Sequence, residues 1–537
     1  MFYDTQGLAS INNVTFSLGD VRKESEIKAV VSPDFPWETS LHFYTSAIAI
    51  PANTIPTIDF DTYRIYYSCF FGDSPMYLCL AVSSDYGKTW NKPLTMSFPF
   101  NGNLPTNRVF VVNLTSPGSW PGSVLLDSRS DVPASERFKI SYEDGGGLRY
   151  IYIATSPDGI NWSRRNPEEP LFPVRLFSDT QTAIIFDPLF NRYLVYGRQD
   201  SNLPGNTTSG CFGGYASLRR VMLAISNDSA VGTYAEPFEI LQPGYPDDIN
   251  CLDIYNPAPI VVSGAILLLP SSYRHFSAID SIPSPQESNV TANDGILDIR
   301  LAISRNGINY SFISRDVFLT RGVGYRDPIH GSFSALDSDR DAGFVFATAG
   351  GLLDNEVFIP VNSRLPSPPF PYHVPSSYVS LLYWAAQRTH GGSASNSSFE
   401  GILRATLRRE GFACLRTPSS DPVGLASFTT IPLAVPKTKD VCGSSNSQLW
   451  LLVNAKTSVA GKVSVTFLTP STLSPLLGFD IPIPFTGDSV RAPVKWATVN
   501  NPTHPYISDI STLGGSDIVI KVDLVHAQLF SWEVQCI

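Results

Sequence analysis

Five side chains recur at nearly equal spacing: Glu38, Asn107, Asp179, Asp253 and Asp327, with steps of 69, 72, 74 and 74 residues. Four are carboxylates, and each stands just ahead of an apolar or mixed run of strand character. One Asp at a loop-to-strand junction serves readily as a turn cap; four at one repeat phase read as a converging set. Converging carboxyl groups do acid–base work on a glycosidic bond: one protonates the leaving oxygen while another attacks or activates water, and crowding raises the pKa of the acid. Asp179, which opens the run Ser178-Asp179-Thr180-Gln181, is assigned nucleophile or general base. Glu38, beside the apolar Trp37, is assigned general acid. Asp253 and Asp327 orient substrate or tune the pair, and the roles are interchangeable among the four. Substrate-holding groups are expected at Asn107, at Arg198, Arg326, His275 and His330 as hydrogen-bond donors, and at Trp37, Tyr255 and Tyr273 as stacking faces. Arg219, Arg220, His390 and Trp384 stand behind them.

These residues need elements that bring them together, and the chain repeats. Ser83-Ser84-Asp85-Tyr86-Gly87-Lys88-Thr89-Trp90 returns as Ser156-Pro157-Asp158-Gly159-Ile160-Asn161-Trp162 and as Ser304-Arg305-Asn306-Gly307-Ile308-Asn309-Tyr310, with a worn copy from Ser226 to Tyr234. Ser and Asp bond the turn backbone, Gly takes the positive φ, and the aromatic residue packs the returning strand. The copies begin at 83, 156, 226 and 304, and a fifth unit runs through Ile402 to Phe412. Strand-like runs precede each turn in pairs, Phe43 to Ile50 with Tyr63 to Tyr67 and Val109 to Val112 with Arg137 to Ser141 among them. Four strands per repeat predict a five-bladed β-propeller whose innermost strands line one axial pocket. Beyond residue 415 the turns stop and half-buried strands follow, among them Leu449 to Val453 and Lys462 to Phe467. The expected organisation is all-β: a five-bladed propeller over 1–415, then an antiparallel β-sandwich over 416–537, an accessory domain without the active site.

Composition narrows the partners. A formal charge of −10 with no basic block excludes a nucleic-acid stripe, and no apolar run is long enough to span a bilayer. The start lacks signal-peptide character, so the expectation of a secreted protein rests on a removed leader and on eight N-x-S/T sequons, including Asn161 and Asn309. Seven cysteines without metal-ligand spacing predict no metal and no cofactor, leaving room only for a structural cation in the axial channel. Cys69 with Cys79 is the expected disulfide, one hairpin carrying both; Cys211 with Cys251 and Cys414 with Cys442 are paired on sequence proximity, leaving Cys536 single.

The turns, the Pro36-Trp37-Glu38 opening, the Arg409-Glu410-Gly411-Phe412 junction and the tail Gly487-Asp488-Ser489-Val490 with Val494-Lys495-Trp496 resemble the five-bladed propeller superfamily of glycoside hydrolases. That is the fold of invertases, arabinanases and β-xylosidases, and hydrolase-like propellers with a C-terminal sandwich are the nearest likeness. An invertase-type Asn-Asp-Pro is not visible, and Arg326-Asp327-Pro328 falls in the fifth blade rather than the second, so no invertase mechanism is carried over. The resemblance implies a glycosidase acting on an oligo- or polysaccharide. Two alternatives stay open: a non-catalytic carbohydrate-binding propeller, and a sialidase-like enzyme suggested by the turn motif.

Overall fold

A computed structural model describes the chain apart from residues 1–3, 5, 25–27, 57, 73–74, 86, 114–118, 145–149, 166–168, 172–180, 203–216, 228, 233, 244–251, 263, 276–294, 323–338, 355–376, 391–398, 422 and 499–504. The chain forms two compact units: Val21–Pro371 with Val379–Thr406, and Met1–Asp20 with Tyr372–Tyr378 and Leu407–Ile537.

The larger unit is a five-bladed β-propeller. Blade 1 runs outward through Ser40–Ile50, Thr62–Phe70, Tyr77–Ser83 and Arg108–Val111. Blade 2 is Trp120–Leu126, Phe138–Asp144, Tyr150–Ser156 and Ser163–Arg164. Blade 3 is Ala183–Asp187, Arg192–Asn202, Ser217–Ser226 and Phe238–Leu241. In blade 4 the first three strands are each interrupted once: Leu252–Ile254 continues as Pro259–Val262, Ala265–Leu268 as Ser271–His275, and Gly295–Ile299 as Ala302–Ser304, with Ser311–Phe312 outermost. Blade 5 is Phe344–Asp354, Tyr378–Ala386 and Glu400–Arg408, and its outer strand is Val21–Lys23 from the other end of the chain. That strand closes the propeller, a role no local signal in three residues could announce.

The inner strands meet around the axis through small polar residues. Ser46 Oγ of blade 1 donates to Val124 O (2.9 Å) and accepts from Val124 N (2.7 Å) of blade 2. Ser123 Oγ accepts from Ile184 N of blade 3 at 2.7 Å. Asn256 of blade 4 donates to Ala347 O at 2.8 Å, and Thr348 of blade 5 to Thr45 O at 2.6 Å. Ile254 packs with Ala183 and Ile185 between blades 4 and 3. The approach is close enough that a Cβ on Gly122 would lie 2.1 Å from Thr182 Oγ1. Short hydroxyls satisfy main-chain groups there that larger side chains would push apart.

The repeated turns close the third strand of their blades. Asp85 Oδ1 accepts from Lys88 N and Thr89 N (3.1 and 2.9 Å), Asp158 Oδ1 from Ile160 N and Asn161 N (2.9 and 2.8 Å), and Asn306 Oδ1 from Ile308 N and Asn309 N (3.0 and 2.8 Å). Each turn is gripped by an arginine of the preceding blade: Arg404 on Gly87 O, Arg64 on Asp158 O, and Arg192 on Asn306 O. Third strands run parallel to inner strands in a meander, so these turns lie at the end opposite the inner-strand starts.

One strand assignment from sequence is corrected. Val109 to Val112, expected as the inner strand of blade 2, is the outer strand of blade 1, with Phe110 opposite Leu78; blade 2 begins at Trp120. Val109 to Val112 is wholly apolar, whereas Trp120–Leu126 carries Pro121, Gly122 and Ser123, so local propensity favoured the wrong run and cross-strand pairing decided against it.

In the second unit, Leu449–Leu468 and Asp517–Cys536 pair antiparallel along 20 residues each. Leu449 to Val453 and Lys462 to Phe467, expected as separate strands, are thus two halves of one strand; an irregularity between Thr457 and Lys462 breaks the alternation midway. Leu8–Asn12 pairs Leu425–Thr430 and Thr15–Leu18 pairs Ala413–Arg416, so the first residues add edges to this sheet, and the expected division at 415/416 falls inside a strand. A small sheet of Pro482–Ile483, Lys495–Ala497 and Tyr506–Ile507 completes the sandwich. Trp496 from it packs on Phe467 and Phe479 (4.7 and 5.1 Å) and donates Nε1 to Val465 O at 2.8 Å.

Cys69–Cys79 is disulfide-bonded as expected, with Cα atoms 5.9 Å apart. Cys414 is instead a free, buried thiol, and Cys442 pairs with Cys536 across 94 residues. Proximity in sequence misled here because the last strand returns Cys536 beside Leu449, opposite the helical turn that carries Cys442. Cys211 and Cys251 lie outside the described residues.

Candidate active site at the axial end of the propeller

On the strand-start side of the small polar ring, four inner strands each contribute one large ring: Tyr44 (blade 1), Trp120 (blade 2), Tyr255 (blade 4) and Phe346 (blade 5). Tyr44 meets Trp120 at 5.8 Å and Phe346 at 5.3 Å, and Phe346 meets Tyr255 at 5.1 Å between centroids. Among the described residues blade 3 has no aromatic in this layer; Arg198, on its second strand and fully buried, holds its guanidinium 4.5 Å from the Tyr255 ring. Arg219 lies 4.8 Å from the same ring and 5.4 Å from Tyr273. Desolvated guanidinium groups over aromatic faces are favourable pairings.

Asp253 is the middle residue of Leu252–Ile254, the first part of the inner strand of blade 4, and is buried. Its Oδ1 accepts from Arg219 N at 3.1 Å and its Oδ2 faces Arg219 Nε at 3.5 Å. Tyr273 is directly opposite it on the second strand, and His390 packs edge-on to Tyr255 (4.9 Å) and tilted against Tyr273 (5.0 Å). Arg198, Asp253, Tyr255 and Tyr273 from the sequence reading therefore lie in one neighbourhood.

Glu38 and its expected companions sit elsewhere. Glu38 Oε1 accepts from Tyr67 Oη (2.5 Å) and Asn107 Nδ2 (3.4 Å), and Oε2 from Lys92 Nζ (2.7 Å), Asp34 N (3.1 Å) and Phe35 N (3.4 Å). Trp37 donates Nε1 to Asn107 Oδ1 at 2.9 Å and stacks on Phe35 at 4.5 Å. Burial, then the Glu38 carboxylate, push the Tyr67 hydroxyl well up, so Tyr67 remains a donor. Every one of these partners belongs to blade 1 or its lead-in, and no hydrogen bond or ion pair joins Glu38 to Asp253 among the described residues. Asn107 precedes the outer strand of blade 1, so it stands off the inner ring where equal spacing had put it. Glu38 Oε and the sulfurs of Cys69 and Cys79 lie within 4.8 Å of one another, but the disulfide removes both thiolates as ligands. Asp179, Arg326, Asp327 and His330 lie outside the described residues, as does the side chain of His275.

Three groups escaped the sequence reading. Glu143 is buried on the second strand of blade 2, directly opposite Trp120. His42, two residues before Tyr44, stacks on Trp120 (5.4 Å, 9° between planes), and burial with the Arg388 charge lowers its pKa to about 3. Glu400 is nearly enclosed, and burial raises its pKa. No local signal marked Glu143, because its strand alternates Phe138, Ile140 and Tyr142 with Lys139, Ser141 and Glu143 itself.

No protein-family model matches the chain, and none of the curated proteins matches it. Among solved structures the chain is similar to an N-acetylgalactosamine deacetylase from F. plautii in complex with blood group B trisaccharide, at 11% identity over 73% of this chain and 96% of that one, TM-score 0.43. It is also similar to a thermostable family-43 glycoside hydrolase (13%, 73% and 98%, TM-score 0.39). A third is a fructofuranosidase from Schwanniomyces occidentalis complexed with fructosylnystose (10%, 96% and 99%, TM-score 0.36). The likeness is one of fold, which the strand pairing above already defines.

Proposed function

We propose that the chain is a glycoside hydrolase that cleaves an oligo- or polysaccharide with carboxylates gathered at the strand-start end of the propeller axis. The observation that carries this reading is the axial layer itself: aromatic faces from four blades, with the buried acids Asp253 and Glu143 and the guanidinium groups of Arg198 and Arg219 beside them. Aromatic faces take the C–H face of a sugar, buried guanidinium groups hold its oxygens, and carboxyl groups in such surroundings exchange the protons that bond cleavage needs. Asp179 and Asp327 hold the corresponding phase ahead of the inner strands of blades 3 and 5 and are assigned with Asp253 to the reacting set. Glu38 remains a candidate acid only if its blade-1 network opens to substrate.

Two disulfides support an oxidising, extracytoplasmic setting; no helix among the described residues is long and apolar enough to cross a membrane. No metal or cofactor is assigned. The alternative, a carbohydrate-binding propeller without turnover, draws on the ion pair that occupies Asp253 and the five hydrogen bonds that occupy Glu38. A screen of aryl glycosides, arabinan, xylan and fructan decides between them. Turnover that falls about 10²–10⁴-fold in Asp179→Asn or Asp253→Asn supports the hydrolase; binding without turnover across the screen supports the alternative.

A further inference from the structure

Two of the repeated turns end in the acceptor pattern for N-linked glycans: Asn161-Trp162-Ser163 in blade 2 and Asn309-Tyr310-Ser311 in blade 4. Each Asn stands five residues beyond the first serine of its turn, Ser156 or Ser304. In both copies the middle residue packs inward. Trp162 lies 6.1 Å from Phe110 between centroids, and the Tyr310 hydroxyl meets that of Tyr196 at 2.8 Å. Alternation then puts the flanking Asn and Ser on the outward side, and Asn161, Ser163, Asn309 and Ser311 are all exposed. The amide to be modified and the hydroxyl that recognition requires face solvent together.

Hydrogen bonding separates these two from other described acceptor sequences. Asn13 Nδ2 donates to Asp421 Oδ2 (2.6 Å) and to Leu425 O (2.8 Å), which occupies both of its hydrogens. Asn113 Nδ2 is part-buried and faces both oxygens of Asp144 (3.2 and 3.3 Å). A glycan on either would disturb contacts that the fold uses. Asn161 Nδ2 gives one hydrogen to Asp158 Oδ2 at 2.7 Å and keeps the second. Asn309 Nδ2 has no acceptor among the described residues, because its turn carries Asn306 where the others carry Asp. Turn chemistry therefore accounts for Asn161, as it does for Thr89 in blade 1, whose hydroxyl bonds Asp85. It does not account for Asn309, whose amide the turn leaves idle.

We propose that Asn161 and Asn309 are N-glycosylation sites. In the transfer, Nδ2 bonds the anomeric carbon of a lipid-linked diphospho-oligosaccharide. The bond from that carbon to the diphosphate breaks, the lipid diphosphate leaves, and one amide proton is released. The two disulfides fit the oxidising compartment in which this transfer takes place. Both turns lie at the propeller end opposite the inner-strand starts, so the glycans cover the face away from the candidate site and leave that site open. The inference is independent of which sugar, if any, the protein cleaves.

The test is secretion of the full chain from a eukaryotic host behind a cleavable leader, with one added acceptor sequence in a flexible C-terminal tag as an internal measure of transfer. Peptide N-glycanase in heavy-oxygen water converts each occupied Asn into a labelled Asp, read in peptide mass spectra. Label at Asn161 and Asn309, and loss of one gel-mobility step in each of Asn161→Gln and Asn309→Gln, is the expected result. Asn309→Gln breaks no hydrogen bond of that amide and should secrete and melt like the parent. Where Asn161→Gln fails to secrete, Ser163→Ala removes the acceptor sequence and keeps the bond to Asp158. An unlabelled Asn161 or Asn309 in a chain whose tag is labelled overturns the assignment, as does a variant that keeps the parent mobility.

Discussion

Glu38 sits at the centre of blade 1 with Lys92 as its ion-pair partner, and the Lys92 side chain is only 7% exposed. Removing one partner of a buried pair leaves the other charge uncompensated, here relieved in part by Asp34 at 3.1 Å. Glu38→Gln should therefore lower stability by about 2–4 kcal/mol in urea unfolding; an unchanged midpoint with lost turnover would instead return Glu38 to the chemistry. His42 makes a separate, pH-dependent prediction. Its pKa is about 3 in the fold against 6.5 for the free side chain, so below 6.5 the unfolded chain binds a proton that the folded chain does not. Stability should then fall as pH drops from 6.5 towards 3, and a His42→Gln variant should lose less between pH 7 and pH 4 in paired urea titrations. The two acids differ in how legible they were. Glu38 was found from spacing but its partners were not, because Lys92, Tyr67 and Asn107 converge only when three strands pair; Glu143 and Glu400 carry no local motif at all.

The repeated turns show how far one element can be read from its residues. Asp158 uses its second oxygen to accept Asn161 Nδ2 at 2.7 Å, and Asp85 uses its own to accept Thr89 Oγ1 at 2.6 Å. Asn306 has an NH2 where those aspartates have oxygen, so it cannot accept from the Asn309 amide. Asn306→Asp should restore that bond and raise stability by about 0.5–1 kcal/mol, read as an upward shift of the thermal midpoint; no shift, or a fall, would mean that the turn does not use its second oxygen. The arginine grips belong to the same scale. Arg64 donates to both Tyr66 Oη (3.2 Å) and the Asp158 carbonyl, and Tyr66 Oη donates to Gly159 O at 3.0 Å. Arg64→Met should cost about 2–3 kcal/mol, because it leaves a buried carbonyl of the neighbouring blade without its partner. The turn sequence foretold its internal bonds, since they join residues two to four apart. It did not foretell the grips, which join residues 94, 114 and 317 apart on neighbouring blades.

At the scale of each whole unit, stability depends on closures made between distant parts of the chain. Cys442–Cys536 closes 94 residues and Cys69–Cys79 closes ten. In the loop-entropy model the long closure is worth about 4–5 kcal/mol and the short one about 3 kcal/mol. Cys536→Ser should thus lower the melting midpoint of the C-terminal unit more than Cys79→Ser lowers that of the propeller; the reverse order in calorimetry would contradict the model. The propeller depends likewise on Val21–Lys23 as the outer strand of blade 5.

Composition, strand alternation and the spaced turns were enough to specify an all-β chain, four-stranded repeats, five blades and a C-terminal sandwich, because each follows from periodicity within a few residues. They were enough for Cys69–Cys79, which one hairpin brings together. Which run begins blade 2, which strand closes blade 5, and which cysteine meets Cys442 were decided only by tertiary pairing: local propensity favoured Val109 to Val112 over the Pro121- and Gly122-bearing Trp120–Leu126, and nothing local marks the other two. The site divides in the same way. Equal spacing picked out Asp253 beside the axis, and it also picked out Asn107, which an inserted outer strand carries away. Trp384 meets the His42 ring and bonds the Glu400 carboxyl only where blade 5 folds back against blade 1, and no spacing rule along the chain could have assembled those contacts.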